Sequence, residues 1–351
     1  MSEPSRRRVG LLRDARFQDH DTTANHPEHP ERLVAIERLL GEARLVEACL
    51  PLESRAATDA ELLRAHDPAL LEMLARSDQF AQAKRVFIDP DTVMSGRSLE
   101  VARHAAGGVI DAARLVATGE LDGVFCLPRP PGHHATRSQA MGFCLINHIA
   151  VAAADLLASG MVARAAIIDF DVHHGNGTQD IFYGDPRVLY VSTHQSPHYP
   201  GTGAVDEVGD GTVPGTTLNL PLPAGSGDLE YLRCFDEVIL PVVRRYDPSI
   251  ILVSAGFDAH WRDPLAGQRV SGAGYRAIAE RLDVLAEELG VGVAYVLEGG
   301  YDLEAIAWAA RHCLDVQLGN DWAEDAVGPA PSGAGADLDS LLGTVRHIHR
   351  L

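Results

Sequence analysis

The sequence predicts an α/β protein built on a parallel sheet, and three observations carry that reading. Apolar, β-rich runs alternate with helical patterns from about residue 100 onward. The strand-like runs are nearly continuous in Val, Ile, Leu and Ala, as strands covered on both faces must be. Each cluster of histidines and carboxylates in this region follows a strand-like run, at its carboxyl end.

In chain order, "SLEVARHAAGGVIDAARLVATG" (98–119) spaces its apolar residues by three and four, the period of a helix with one buried face. "GVFCLP" (123–128), "RAAIIDF" (164–170) and "VLYVSTH" (188–194) read as strands. "DLEYLRCFDEVILPVVRRY" (228–246) returns to the helical period, and "IILVSAGF" (250–257) is a fourth strand. "SGAGYRAIAERLDVLAEELG" (271–290) opens on a serine and stops on a glycine, the start and stop signals of a helix. "GVAYVLEGG" (292–300) is a fifth strand. "VGPAPSGAGAD" (327–337) is rich in Gly, Pro and Ala and reads as a linker to a last short helix, "LDSLLGTVRHIHRL". No internal repeat is present and no other stretch marks a boundary, so residues 1–351 are expected to form a single domain.

A chain of 351 residues with 46% hydrophobic and 23% charged content can bury a sizeable core. No apolar run approaches the roughly 18 residues of a membrane span. The N-terminal "MSEPSRRRVGLLRDARF" is basic, but "VGLL" is too short for a signal-peptide core and a charge follows it, so a cytoplasmic location is expected. Cys49, Cys126, Cys144, Cys234 and Cys313 are odd in number and scattered, which argues against a disulfide framework and a cysteine zinc site. The formal net charge of −19 opposes nucleic-acid binding and would attract cationic substrates, besides favouring solubility.

The polar motifs carry the chemistry. "PRPPGHHA", "DFDVHHGNG", "THQSPHYPGTG", "GFDAH" and "EGGYD" follow the five strands in turn. The carboxyl edge of an open α/β sheet is where ligands collect, and five motifs share it. On an extended segment Asp171 and His173 point the same way and could hold one metal ion. Asp258 is the best candidate for a third ligand, leaving room for water and substrate as a catalytic zinc requires. A lone Asp-x-His reads more simply as a hydrogen-bonded buried pair; the company of the other motifs favours metal. His133 and His134 sit in a segment stiffened by Pro128, Pro130 and Pro131, and a histidine beside an activated water is a natural general base and acid. Asp169 and Asn176 are available to orient the two rings. Tyr301 follows Gly299 and Gly300, whose freedom lets the phenol turn toward the metal and support an oxyanion. Together these parts point to metal-assisted hydrolysis of an amide.

This combination resembles the histone deacetylase family in its broad sense, which includes bacterial amidohydrolases and acetylpolyamine deacetylases. The matching segments are "HPEHPERL" (26–33), "RPPGHHA" (129–135), "GFCLINHIAVAA" (142–153), "IIDFDVHHGNGTQ" (167–179), "VSTH" (191–194), "YPGTG" (199–203), "SAGFDAHWRDPLAG" (254–267) and "LEGGYD" (297–302). The resemblance implies an arginase-like three-layer α/β fold with an eight-stranded parallel sheet flanked by helices. It makes Asp171, His173 and Asp258 the ligands of one zinc ion and His134 the general base and acid. His133, paired with Asp169, becomes an electrostatic partner, and Tyr301 polarises the carbonyl. It places Phe143 beside Gly142 on one wall of an acyl-lysine tunnel and Tyr199 on the other, with Leu265 at the rim. Asp91 is matched to a group that grips the substrate backbone, and Arg32 to the lining of an internal channel. It also implies a potassium ion held by backbone carbonyls of Asp169, Asp171, His173 and Thr193 and the Ser192 hydroxyl.

Two features refine the match. Asn176 stands where some relatives have aspartate, and a neutral partner should leave His134 less basic. Gly175 stands where two-metal relatives carry a further carboxylate, which favours one metal. His174 is left with a structural hydrogen bond in the loop. The implied substrate is an acylated lysine; an acetylated polyamine is the alternative, which the apolar Leu265 disfavours, although His198 and Asp91 could reshape the entrance. A non-catalytic acyl-binding protein is a third reading, which His133, His134 and Tyr301 oppose.

Overall fold

The structure, a computed structural model, describes residues 7–212, 215–333 and 335–351. Its centre is an eight-stranded parallel sheet, an α/β architecture. The strands are β1 (Val9–Leu12), β2 (Leu50–Leu52), β5 (Gly123–Cys126), β6 (Ala165–Asp169), β7 (Val188–Gln195), β8 (Thr217–Leu222), β9 (Ile251–Ala255) and β10 (Val293–Leu297). Between β2 and β5 a small antiparallel hairpin forms from β3 (Val86–Phe87) and β4 (Val93–Met94). The sheet order is β2-β1-β5-β10-β9-β6-β7-β8.

The five strands expected from the sequence are the five central ones, β5, β10, β9, β6 and β7, and they lie side by side. Strands β5, β6, β9 and β10 are buried along their whole length, which is why they read as unbroken apolar runs. The three further strands flank them, and their sequences explain why they are hard to read. The outermost pair, β2 and β8, contain Pro51 and Pro221, and a proline has no N–H for an inner ladder. Strand β1 is four residues long, the "VGLL" too short for a signal-peptide core.

Helices cover the sheet. Residues Ser98–Ala117, Gly272–Leu289 and Asp339–His349 are helical near the expected positions. The run at 228–246 is interrupted: a single π turn, Phe235–Ile239, joins Asp228–Cys234 to Leu240–Tyr246. Pro241, which has no N–H to give to the preceding turn, follows that irregularity. Helix Leu303–Leu318 follows β10 directly, capped by the Asp302 carboxylate on the N–H of Ala305 at 2.9 Å. No helix among the described residues is long and apolar enough to cross a membrane.

The consequence for function is positional. Parallel strands present all their carboxyl ends on one edge. The order β5-β10-β9-β6-β7 therefore brings the loops bearing His133, Tyr301, Asp258, Asp171 and Tyr199 next to one another. Register pairs Asp169 with both Ser254 and Ser192, so the last residue of β6 sits between its two neighbours at the same level.

Candidate active site

Beyond β6 the chain does not stay extended as expected but bends through residues 171–173, where the His173 N–H folds back onto Asp171 Oδ1 at 2.9 Å, and Asp171, His173 and Asp258 converge. Their ligand atoms lie within 4.8 Å of one another and all three residues are buried. His173 Nδ1 is 3.1 Å from Asp171 Oδ1 and 3.1 Å from Asp258 Oδ2. Two ligands at 2.0–2.1 Å on a tetrahedral ion stand about 3.3 Å apart, so the spacing suits one small cation. The remaining carboxylate oxygens are fixed by backbone: Gly299 N donates to Asp171 Oδ2 at 2.8 Å, and Val172 N to Asp258 Oδ1 at 2.8 Å. A side chain at Gly256 would overlap the Asp171 carboxylate, and one at Gly299 would overlap those of Asp258 and Asp171. Bare backbone lets the donors approach, so the donor set fits a metal ion. Burial opposes a proton on His173, but hydrogen bonds to Asp171 and Asp258 overcome it and raise this group to about 10. The carboxylates thus favour positive charge at that point.

His134, expected to move protons, and His133, expected to be its electrostatic partner, are adjacent, their ring centroids 4.0 Å apart, yet their surroundings differ. His133 Nδ1 is 3.0 Å from Asp169 Oδ2, and its Nε2 is 3.8 Å from Asp171 Oδ2. Burial works against charge on His133, but Asp171 and Asp169 together outweigh it and hold the imidazolium well above the ordinary range. His134 Nδ1 meets Asn176 Oδ1 at 2.8 Å. Burial, then the neighbouring His133 and His173, hold His134 well below the ordinary range. The surroundings therefore bias one ring toward the charged form and the other toward the neutral one.

Tyr301 reaches the pocket through Gly300, whose φ of +113° is open to glycine and strained for other residues. Its ring meets Phe143 edge-on at 5.9 Å, and the Arg32 guanidinium lies over it at 5.1 Å. Burial first, then Asp258, push the phenol well above its ordinary range, which keeps its proton available for donation. Gly142 (φ +56°) and Phe143 (φ +68°) form a tight turn, and a side chain at Gly142 would collide with the His134 ring. Tyr199 stands edge-on to His134 at 5.2 Å and is 38% exposed, so it lies at the mouth. Asp91 lies on the loop between β3 and β4; its carbonyl is 2.9 Å from His26 Nε2, and that ring meets Phe143 edge-on at 4.7 Å. Burial and the neighbouring Asp89 push Asp91 up to about 6. Leu265 is partly buried on the loop that carries Asp258, and its N–H donates to Asp263 Oδ1 at 2.9 Å. His198 stacks on His173 at 4.9 Å.

The other expected positions are also placed. Ser192 Oγ is 2.9 Å from His194 Nδ1, next in register to Asp169, and the Thr193 hydroxyl is buried with no hydrogen-bond partner among the described residues. His174 joins Thr202 Oγ1 at 2.7 Å and Gln179 Oε1 at 3.0 Å, a structural bridge from its loop to the helix Asn176–Phe182 that follows it and to the loop after β7.

A family model described as Histone deacetylase domain matches residues 26–317, which include all of these loops. The chain belongs to the histone deacetylase family. Within it, histone deacetylase 5 of Arabidopsis thaliana is 39% identical over 327 residues, 89% of this chain and 49% of that protein. The chain thus spans about half the length of that relative. A probable deacetylase of Archaeoglobus fulgidus is 39% identical over 299 residues, 84% of this chain and 82% of its own. The crystal structure of the HDA15 HD domain matches with a TM-score of 0.85 at 37% identity, over 97% of this chain and 95% of that one.

Four residues of this family site have no role in the sequence reading. Glu298 is buried and accepts from Gly132 N at 2.7 Å, His133 N at 3.1 Å and Ser254 Oγ at 3.1 Å, so it fixes the histidine loop. Tyr190 donates to Asp169 Oδ2 at 3.1 Å. Glu28 and Arg129 form a fully buried ion pair, and Arg32 joins Glu28 at 3.1 Å. Arg32 also donates to the carbonyls of Glu298 and Gly300, supporting the Tyr301 turn from beneath. Glu298 and Tyr190 each interrupt or end an apolar strand, which is the signal that could have found them.

Proposed function

We propose that the chain is a zinc-dependent deacylase that hydrolyses the ε-amide of an acylated lysine in a protein, peptide or small molecule. The observation that carries the proposal is the pairing of a three-donor cation site with two adjacent buried histidines, one held by a carboxylate (Asp169) and the other by an amide oxygen (Asn176). Asp171, His173 and Asp258 hold the metal, which supplies Lewis acidity to water and to the amide carbonyl. Neutral His134, its Nδ1 proton held by Asn176 Oδ1, takes a proton from the attacking water at Nε2. The same atom returns a proton to the leaving amine. His133 stays charged against Asp169 and adds positive potential beside the developing negative charge. The Tyr301 hydroxyl donates to the carbonyl oxygen as that charge grows. Phe143 and Tyr199 exclude water from the acyl-lysine stem, Leu265 shapes the rim, and Asp91 takes the substrate backbone. Backbone carbonyls of Asp169, Asp171, His173 and Thr193, with the Ser192 hydroxyl, would hold a structural potassium ion.

A second reading, an acetylpolyamine amidohydrolase, is favoured by one observation: Asp89 and Asp91 lie together on the loop between β3 and β4, where they could receive a distant ammonium. Acetate release from an acetyl-lysine peptide, lost on chelation and in His134→Ala, is the expected result. Turnover of acetylspermidine with none of any peptide would transfer the assignment to the second reading.

A further inference from the structure

The loop bearing Asp258 does more than supply a ligand. Asp263, five residues on, is 7% exposed. Its Oδ2 accepts from the Tyr301 backbone N–H at 2.7 Å, and its Oδ1 accepts from Leu265 N at 2.9 Å. The adjacent Arg262 donates through Nε to Asp302 Oδ2 at 3.1 Å, and through Nη1 to Glu304 Oε2 at 2.8 Å. The rim loop therefore grips the Tyr301 turn at neighbouring points. The need for a grip is visible in that turn. Gly299 and Gly300 precede the tyrosine, and glycine fixes its own conformation least. Arg32 braces the turn from below at the Gly300 carbonyl, 2.7 Å from Nε. Among the described residues, Asp263 Oδ2 is the acceptor of the Tyr301 N–H.

We infer that Asp263 is a positioning residue for Tyr301: one carboxylate ties the rim at Leu265 to the turn that aims the phenol. The inference rests on the proposed deacylase reading, because the phenol acts only where an oxyanion develops. Losing the anchor leaves the substrate tunnel standing but lets the phenol wander, which lowers kcat more than it changes KM. Asp263→Asn keeps the shape while placing an N–H donor against one of the two N–H groups, so one anchor is lost.

The test is a cycle of wild type, Asp263→Asn, Tyr301→Phe and the double variant, with amide hydrogen exchange at Leu265 and on the segment 300–302. The expected result is a loss in kcat of about tenfold or more for Asp263→Asn, KM within about twofold, and faster exchange at the Tyr301 amide. In the Tyr301→Phe background the same change costs less than about twofold, because the hydroxyl to be aimed is gone. Asparagine has one acceptor oxygen, so faster exchange at Leu265 alone, with kcat kept, shows the Tyr301 anchor retained and agrees with the inference. Equal fold losses in both backgrounds, a loss in kcat without faster exchange at Tyr301, or unchanged exchange at both amides would overturn it. Should Asp263→Asn not fold, Arg262→Ala at the partly exposed neighbouring contact gives a smaller loss of the same kind, again absent beside Tyr301→Phe. A full additive loss there would overturn it equally. If wild type cleaves no acylated lysine or polyamine, the deacylase reading fails. Hydrogen exchange then still decides whether Asp263 anchors the turn.

Discussion

Two buried charged clusters lie within this molecule, and they are balanced in different ways. Beneath the site, Glu28 meets two guanidinium groups, Arg129 and Arg32, all fully buried. Burial alone would raise the Glu28 carboxyl, but Arg129, His20 and Arg32 reverse that and bring it down to about 2. That cluster sets one carboxylate against two guanidinium groups, and their remaining N–H groups donate to the backbone carbonyls of Phe17, His20 and Gly300, so it needs no ion from outside. At the carboxyl edge of the sheet, Asp169, Asp171, Asp258 and Glu298 are equally buried, yet their charged neighbours are histidines. Buried carboxylates without guanidinium partners are costly unless a cation joins them. The comparison teaches that the lower cluster is a structural support, while the upper one is built to take a charge from outside.

The comparison can be broken most severely at Asp258. Removing one donor in Asp258→Ala should leave most chains without metal and lower kcat/KM by about 10³-fold or more, since a bound ion would contribute several kcal/mol to the transition state. Metal analysis beside the rate checks it. Tyr301→Phe should lower kcat by about 10²–10³ with metal content unchanged, which separates oxyanion support from charge balance.

The lower cluster should answer to acid. Because the folded carboxyl of Glu28 is depressed from 4.5 to about 2, its contribution is fully present above pH 4.5. It is lost as pH falls through that window, at a cost of about 3 kcal/mol. Denaturant unfolding between pH 5 and 2 measures this, and Glu28→Gln should flatten that part of the dependence. The smallest effect is at the histidine pair. His134 must be neutral to accept a proton, and Asn176→Asp would favour its charged form. The acidic limb of kcat/KM should then move to higher pH by about one unit. An unmoved limb would show that Asn176 does not set the basicity of His134.

The central strands and the edge that carries the site were legible because both faces of β5, β6, β9 and β10 are covered, which forces unbroken apolar runs ending at polar motifs. Strands β2 and β8 were not legible from their residues. Pro51 and Pro221 break the pattern, and a sheet edge tolerates them. The convergence of Asp258 on Asp171 was legible as an expectation, because both end strands of one parallel sheet; that β9 and β6 are neighbours needed the strand order. Glu298, Tyr190 and Asp263 were missed for a common reason. Each acts through backbone N–H groups or another carboxylate brought near by the fold, and such partners leave no spacing in the sequence.

The most direct test of the charge-deficit account is to strip the protein of metal and restore zinc stepwise while following acetate release from an acetyl-lysine peptide. The account predicts that activity is absent without metal, rises to a plateau at about one equivalent per chain, and does not return in Asp258→Ala. Full activity in the stripped protein would contradict it.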